Sequence, residues 1–182
     1  MKPNILSLED RLRDPETRRE AFAELIEKFS RPLYWQIRRM VGSHEDTDDL
    51  LQNTFMKAWT AMDDFRGDAK LSTWLHKIAI NEALTHLDRA KRRMTESLDS
   101  DESSTAASLE ADEWIDGDEA AAALRRAIAS LPPKQQLVFN MKYFDEMKYE
   151  DIAEITGTSV GALKTSYHLA VKKIENFLEL NR

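Results

Sequence analysis

Between residues 95 and 120 the chain carries ten acidic side chains (Glu96, Asp99, Asp101, Glu102, Glu110, Asp112, Glu113, Asp116, Asp118 and Glu119) and neither lysine nor arginine. From Glu96 to Asp112 the remaining residues are mainly Ser, Thr and Ala. Such a stretch cannot bury enough apolar surface to offset the entropy of ordering it. It therefore predicts a flexible acidic linker over 95–119 and divides the 182 residues into two small domains. The same stretch accounts for the overall charge. The other 23 acids stand against all 26 Lys and Arg, so a chain of net charge −7 consists of mildly basic parts beside a polyanionic one.

Both parts show a helical period. Phe22, Leu25, Ile26, Phe29, Leu33, Ile37 and Met40 recur at three- and four-residue steps. Leu50, Leu51, Phe55, Ala58, Trp59 and Met62 do the same after an Asp/Thr-rich stretch suited to an N-cap. Leu71, Trp74, Leu75, Ile78, Ala79 and Leu84 follow the turn residues Arg66, Gly67 and Asp68. After the acidic stretch, four helices are expected over Ala120 to Ser130, Pro132 to Tyr143, Tyr149 to Thr156 and Ser159 to Glu179. No segment sustains a two-residue alternation, so the predicted class is all-α. The expected organisation is an N-terminal extension over 1–20, a helical domain over 21–94, the linker, and a second helical domain over 120–182.

Composition removes several kinds of chemistry. Without cysteine there is no disulfide framework or thiolate metal site, and the four histidines are too scattered to suggest a ligand set. None of the five glycines falls in a phosphate-cradling pattern, and no histidine, serine or lysine is placed in an acid–base or nucleophile set. We expect no cofactor, no metal and no enzymatic activity. No apolar run approaches a membrane span and the first ten residues lack a signal-peptide pattern, so no membrane insertion and a cytoplasmic protein are expected.

The stretch from Tyr149 to Lys164 has the arrangement of a helix-turn-helix. Ala153 permits close helix approach, Gly157 suits the left-handed turn, and Ser159 can cap the second helix. Val160, Leu163, Tyr167, Val171 and Ile174 form an inward stripe on that helix. Gly161, Ala162, Lys164, Thr165, His168, Leu169 and Lys172 are left outside, with Lys164, Thr165 and His168 placed to reach base edges or phosphates. An ordinary helical hairpin with a solvated face has the same pattern.

A second constellation lies earlier. The run from Asp46 to Trp59 puts Asp48, Asp49, Gln52, Asn53 and Lys57 on one side of a helix and Leu51, Phe55 and Trp59 on the other. It is followed by the run from Phe65 to Asn81 and by the basic stretch Arg89, Lys91, Arg92 and Arg93. This succession resembles region 2 of the extracytoplasmic-function (group 4) sigma factors of the sigma-70 superfamily. Leu131 through Lys173 resembles their region 4, and the two together span nearly all of the chain outside the extension and the linker.

The resemblance implies an alternative sigma factor that binds core RNA polymerase and directs promoter-specific initiation. Region 2 implies that Asp48, Asp49, Gln52 and Asn53 dock on the clamp helices of the beta-prime subunit, and region 4 that the beta flap is a further contact. It also implies minus-10 contacts from Arg66, Gly67, Asp68, Lys70, Leu71, Trp74, Lys77, Asn81, Arg89 and Arg92, with the 65–72 loop and Asn81 holding a flipped base. Opening a duplex without ATP requires a pocket that recovers the few kcal/mol of unstacking. The minus-35 element falls to Ser159, Lys164, Thr165, Ser166, His168 and Lys172. An anti-sigma factor is an expected partner. Asn53 stands where similar sequences commonly carry glutamate, and Leu71 where they often carry an aromatic residue. Trp59 and Trp74 lie on the apolar stripes and read as core residues.

Two other readings use the same residues. A stand-alone helix-turn-helix regulator accounts for Tyr149 to Lys173 but leaves Asp49, Gln52, the 66–68 loop, Trp74 and Asn81 without a role. A purely structural helical scaffold would bind protein only.

Overall fold

The computed structural model describes residues 7–98, except Arg66 and Asp68, and residues 119–181. The expected linker, which at 25 residues would span on the order of 28 Å as a coil, lies for the most part outside the described residues. Eight helices and no strand occur among the described residues. They fall into two compact units, Met1–Ser108 and Leu109–Arg182.

In the first unit, α1 (Leu8–Arg13) starts with a capping box, in which Ser7 Oγ accepts from the Asp10 amide and the Asp10 carboxylate accepts from the Ser7 amide. Part of the expected extension is thus helical, and its Leu12 is fully buried. Next comes α2 (Arg18–Val41), which ends at Gly42 in the left-handed conformation, φ 78°. The following helix, α3 (His44–Thr60), begins earlier than its Asp/Thr-rich stretch suggests. Ser43 is the cap, accepting from the Asp46 amide, so Glu45 and Asp46 occupy the first turn, where carboxylates complement the exposed amides. A short 3-10 turn, Met62–Asp64, leads to the 65–70 loop and then to α4 (Leu71–Leu98), which runs four residues into the acidic stretch.

Helices α2, α3 and α4 pack pairwise, and α1 lies against α2. Leu25, Leu33, Ile37, Leu75 and Ala79 are fully buried between them. Each large aliphatic side chain of this kind contributes about 1.5–3 kcal/mol by leaving water. One polar pair is enclosed with them: His76 Nδ1 donates to Gln36 Oε1 at 2.7 Å. Burial, and secondarily the Arg39 guanidinium, pushes the His76 pKa from 6.5 down to about 4, so the ring is neutral in the fold.

The second unit is organised around its last helix. Helices α5 (Glu119–Ala129), α6 (Pro133–Tyr143) and α7 (Tyr149–Thr156) each pack against α8 (Val160–Leu180). A run of rings joins three of them: Tyr143 stacks on Phe139 at 5.1 Å, Phe139 on Tyr167 at 5.8 Å, and Tyr167 meets Tyr149 edge-on at 6.4 Å. Between α7 and α8 the turn has the expected chemistry. Gly157 adopts φ 66° and its amide donates to the Ala153 carbonyl, while Ser159 Oγ accepts from the Ala162 amide.

Candidate functional site

On α3 the four residues Asp48, Asp49, Gln52 and Asn53 are all exposed. The opposite side is inward, with Phe55 buried and Leu51 half-buried. Trp59 departs from its reading as a core residue, because 45% of it is exposed. Its ring meets Phe22 edge-on at 4.9 Å at the edge of the stripe, where an indole has one packed side and one wet side. Met56 beside it is 61% exposed, so the outer surface of α3 is part apolar and part acidic. The apolar stripe alone gave no reason to single out Met56, which lies off it.

Lys57, on the same side, pairs with Glu82 of α4. Asp46, Asp49, Asn53, Lys57, Glu82 and Arg89 line one polar groove between α3 and α4. Residues assigned from sequence to polymerase and to DNA therefore share a boundary. Residues 46 and 89 are too far apart in sequence for local periodicity to show it.

The 65–70 loop is described in part, since Arg66 and Asp68 lie outside the described residues. Gly67 is exposed at φ 78°, and Lys70 is exposed. Leu71 is corrected as a base contact: it is 5% exposed, and its side chain belongs to the core cluster. As the first residue of α4 it has to fill the space above Leu75, one turn on, and so presents almost no surface to a nucleotide. Trp74 is half-buried and packs against Phe65 at 5.0 Å, which anchors the loop's first residue to α4. Lys77, Asn81, Arg89 and Arg92 are all exposed. At 3.6 residues per turn, Lys77, Asn81 and Arg92 fall within about 60° of arc, and Arg89 roughly 60° further round. The acid Asp88 shares this face.

On α8 the inward residues are Leu163, Ala170 and Ile174, with Val160, Tyr167 and Val171 half-buried. Lys164, Thr165, His168 and Lys172 are exposed and lie within about 100° of arc. Ser159 serves the helix as its cap. Ser166 sits half-buried next to Ala170 in angle, turned away from Lys164 and His168. Tyr149, read from sequence only as the start of the motif, has both Lys164 Nζ at 5.8 Å and Lys142 Nζ at 5.0 Å from its ring centre. A tyrosine face attracts ammonium groups, so the ring holds two cations beside the start of α8.

Among the described residues no group of three or more His, Asp or Glu side chains is placed to hold a metal ion. No described helix is long and apolar enough to cross a membrane.

The family model for Sigma-70 region 2 matches residues 25–93, and that for Sigma-70, region 4 matches residues 121–174. The RNA polymerase sigma-H factor of Pseudomonas aeruginosa is 30% identical over 88% of each chain. The ECF RNA polymerase sigma factor SigW of Bacillus subtilis is 31% identical over 82% of this chain and 84% of its own. The ECF RNA polymerase sigma-E factor of Escherichia coli is 31% identical over 86% of both. In fold, the chain is similar to the sigma factor RpoE of Bartonella quintana, solved with the anti-sigma factor NepR, at a TM-score of 0.71 and 24% identity. That likeness covers 90% of this chain and 99% of RpoE. CnrH, solved with the cytosolic domain of CnrY, gives the same TM-score at 22% identity over 96% and 97% of the two chains. With its α3 and α4 faces inside the region 2 match and its helix-turn-helix inside the region 4 match, the chain belongs to the extracytoplasmic-function sigma factors of the sigma-70 family.

Proposed function

We propose that this sigma factor divides its work between two outward faces, and one observation carries the proposal. In each unit a helix that matches a sigma region keeps basic and amide side chains exposed on a single arc, Lys77, Asn81 and Arg92 on α4 and Lys164, His168 and Lys172 on α8. The α3 surface with Asp48, Asp49, Gln52 and Asn53 docks on the beta-prime clamp helices of core polymerase. Arg66, Gly67, Asp68 and Lys70 of the loop, with Lys77, Asn81, Arg89 and Arg92, meet the minus-10 element. Leu71 and Trp74 act from behind, as the packing on which the loop rests. Lys164, Thr165, His168 and Lys172 read or clamp the minus-35 element, with Ser159 fixing the start of their helix. Phosphate contacts position the protein and base contacts specify the sequence.

The protein acts in this reading as an initiation factor without covalent chemistry of its own, inside the cell where polymerase works. The similar sigma factor RpoE is solved bound to the anti-sigma factor NepR, and the exposed Met56 and Trp59 beside an acidic surface give such a partner an apolar hold.

Run-off transcription with purified core polymerase and a library of promoter fragments tests the proposal. Promoter-dependent transcripts are expected. Lys164→Ala and His168→Ala should change the selected upstream element, and Asn81→Ala should reduce permanganate reactivity at the minus-10 element. Normal melting by the Asn81 variant removes that assignment, and failure to bind core removes the whole reading.

A further inference from the structure

We propose that α1, which precedes the region 2 match, is a positioning element that holds Phe65 and Gly67 of the 65–70 loop ready for the capture of a base. This rests on the reading of that loop as the minus-10 base pocket.

The helix is short, yet it is secured at several points. Leu12 is fully buried in the core of the unit. Arg11 pairs with Glu24 of α2 at 2.6 Å. Arg18, at the start of α2, donates through Nε to the Leu12 carbonyl at 2.9 Å and pairs through Nη2 with Asp63 at 2.8 Å. One guanidinium therefore ties the end of α1 to the 3-10 turn that leads into the loop.

From that anchored end, Arg13 reaches the loop itself. Its guanidinium carbon lies 5.9 Å from the centre of the Phe65 ring, and the ring in turn packs on Trp74. The guanidinium also stands where a β-carbon on residue 67 would be. Glycine at 67 suits the positive φ, and a larger residue there would require the Arg13 guanidinium to move.

The physical consequence concerns entropy. A loop with a glycine at positive φ samples many conformations when unsupported, and ordering it on capture of a base costs affinity. Contacts at Asp63, Phe65 and Gly67 reduce that cost before DNA arrives. Arg13, Arg18 and Asp63 are then positioning residues for strand opening, acting through the loop without touching a base.

The test compares holoenzymes in binding the single-stranded non-template minus-10 sequence of a promoter selected by run-off transcription. The readout is the ratio of affinities for that strand and for one with its captured base replaced. Arg13→Ala should lower the ratio about 3-fold, in keeping with a modest cation–π contact. Asp63→Ala, a milder change at an exposed side chain, should lower it about 2-fold, as for a surface ion pair. Core affinity and melting temperature should stay as in the parent, which a role confined to fold stability would not allow. Lys70→Ala and Asn81→Ala report on the loop reading itself. If these two lower the ratio and the Arg13 and Asp63 variants do not, the brace is wrong and the pocket stands. If all four leave it unchanged, both readings fall. A ratio that drops only in step with melting temperature or core affinity also overturns the brace.

Discussion

The two units treat their fully buried amides in opposite ways. In the first, Gln36 and His76 are both enclosed and satisfy one another across α2 and α4. Thr47 and Thr54 bond back to carbonyls one turn earlier. In the second, Asn140 on α6 is 2% exposed, and among the described residues neither its amide nitrogen nor its oxygen has a hydrogen-bond partner. A paired buried amide lends register to helix packing, whereas an orphaned one costs about 1–3 kcal/mol. The unit with the longer helices gains specificity from its polar core. The helix-turn-helix unit has an aromatic run across three helices instead.

The strongest way to break this comparison is to show that the units do not unfold separately. Leu75 and Leu163 are fully buried, one in each unit. Leu75→Ala and Leu163→Ala should each cost about 2–5 kcal/mol, and calorimetry should show each variant lowering a different transition. A single transition moved alike by both would merge the two units into one cooperative body.

Acid should separate them next. His76 titrates at about 4 in the fold against an ordinary 6.5, so between these values the unfolded chain binds the extra proton. The stability that the neutral ring contributes is complete above pH 6.5 and is lost as the pH falls toward 4, a change on the order of 3 kcal/mol. The transition of the first unit should show this slope, and His76→Gln should flatten it. Equal slopes in both units would deny His76 the role.

The smallest effect has the clearest sign. Gln36→Leu strands the His76 ring and should destabilise the first unit by about 1–3 kcal/mol. The matching change Asn140→Leu removes an orphan and should stabilise the second by about 1 kcal/mol. Denaturant midpoints read both, and changes of the same sign would dissolve the contrast.

Much of the architecture was legible because it is local. The apolar period placed α6 and α7 to within a residue, since Pro133 at a first turn and Gly157 after a last one are punctuation that acts over a few residues. The start of α3 was placed too late, because an acidic first turn resembles a cap in composition, and only the backbone shows that Ser43 is the cap. Leu71 was given to DNA and belongs to the core. The periodicity that made it apolar does not say how deeply the first residue of a helix is enclosed.

The linear order of residues therefore determined the helices and the outward arcs on α4 and α8, which follow from 3.6-residue spacing and charge. Tertiary structure alone decided which distant groups meet. Gln36 finds His76, Lys57 finds Glu82, two lysines share the Tyr149 ring, and Arg13 reaches the loop at Phe65 and Gly67. Except for Lys142 and Tyr149, these partners lie well over ten residues apart, and their meeting depends on how whole helices pack. No local pattern encodes that, because a helix face is specified by its own spacing while its neighbour is chosen by the shape and burial of the entire core.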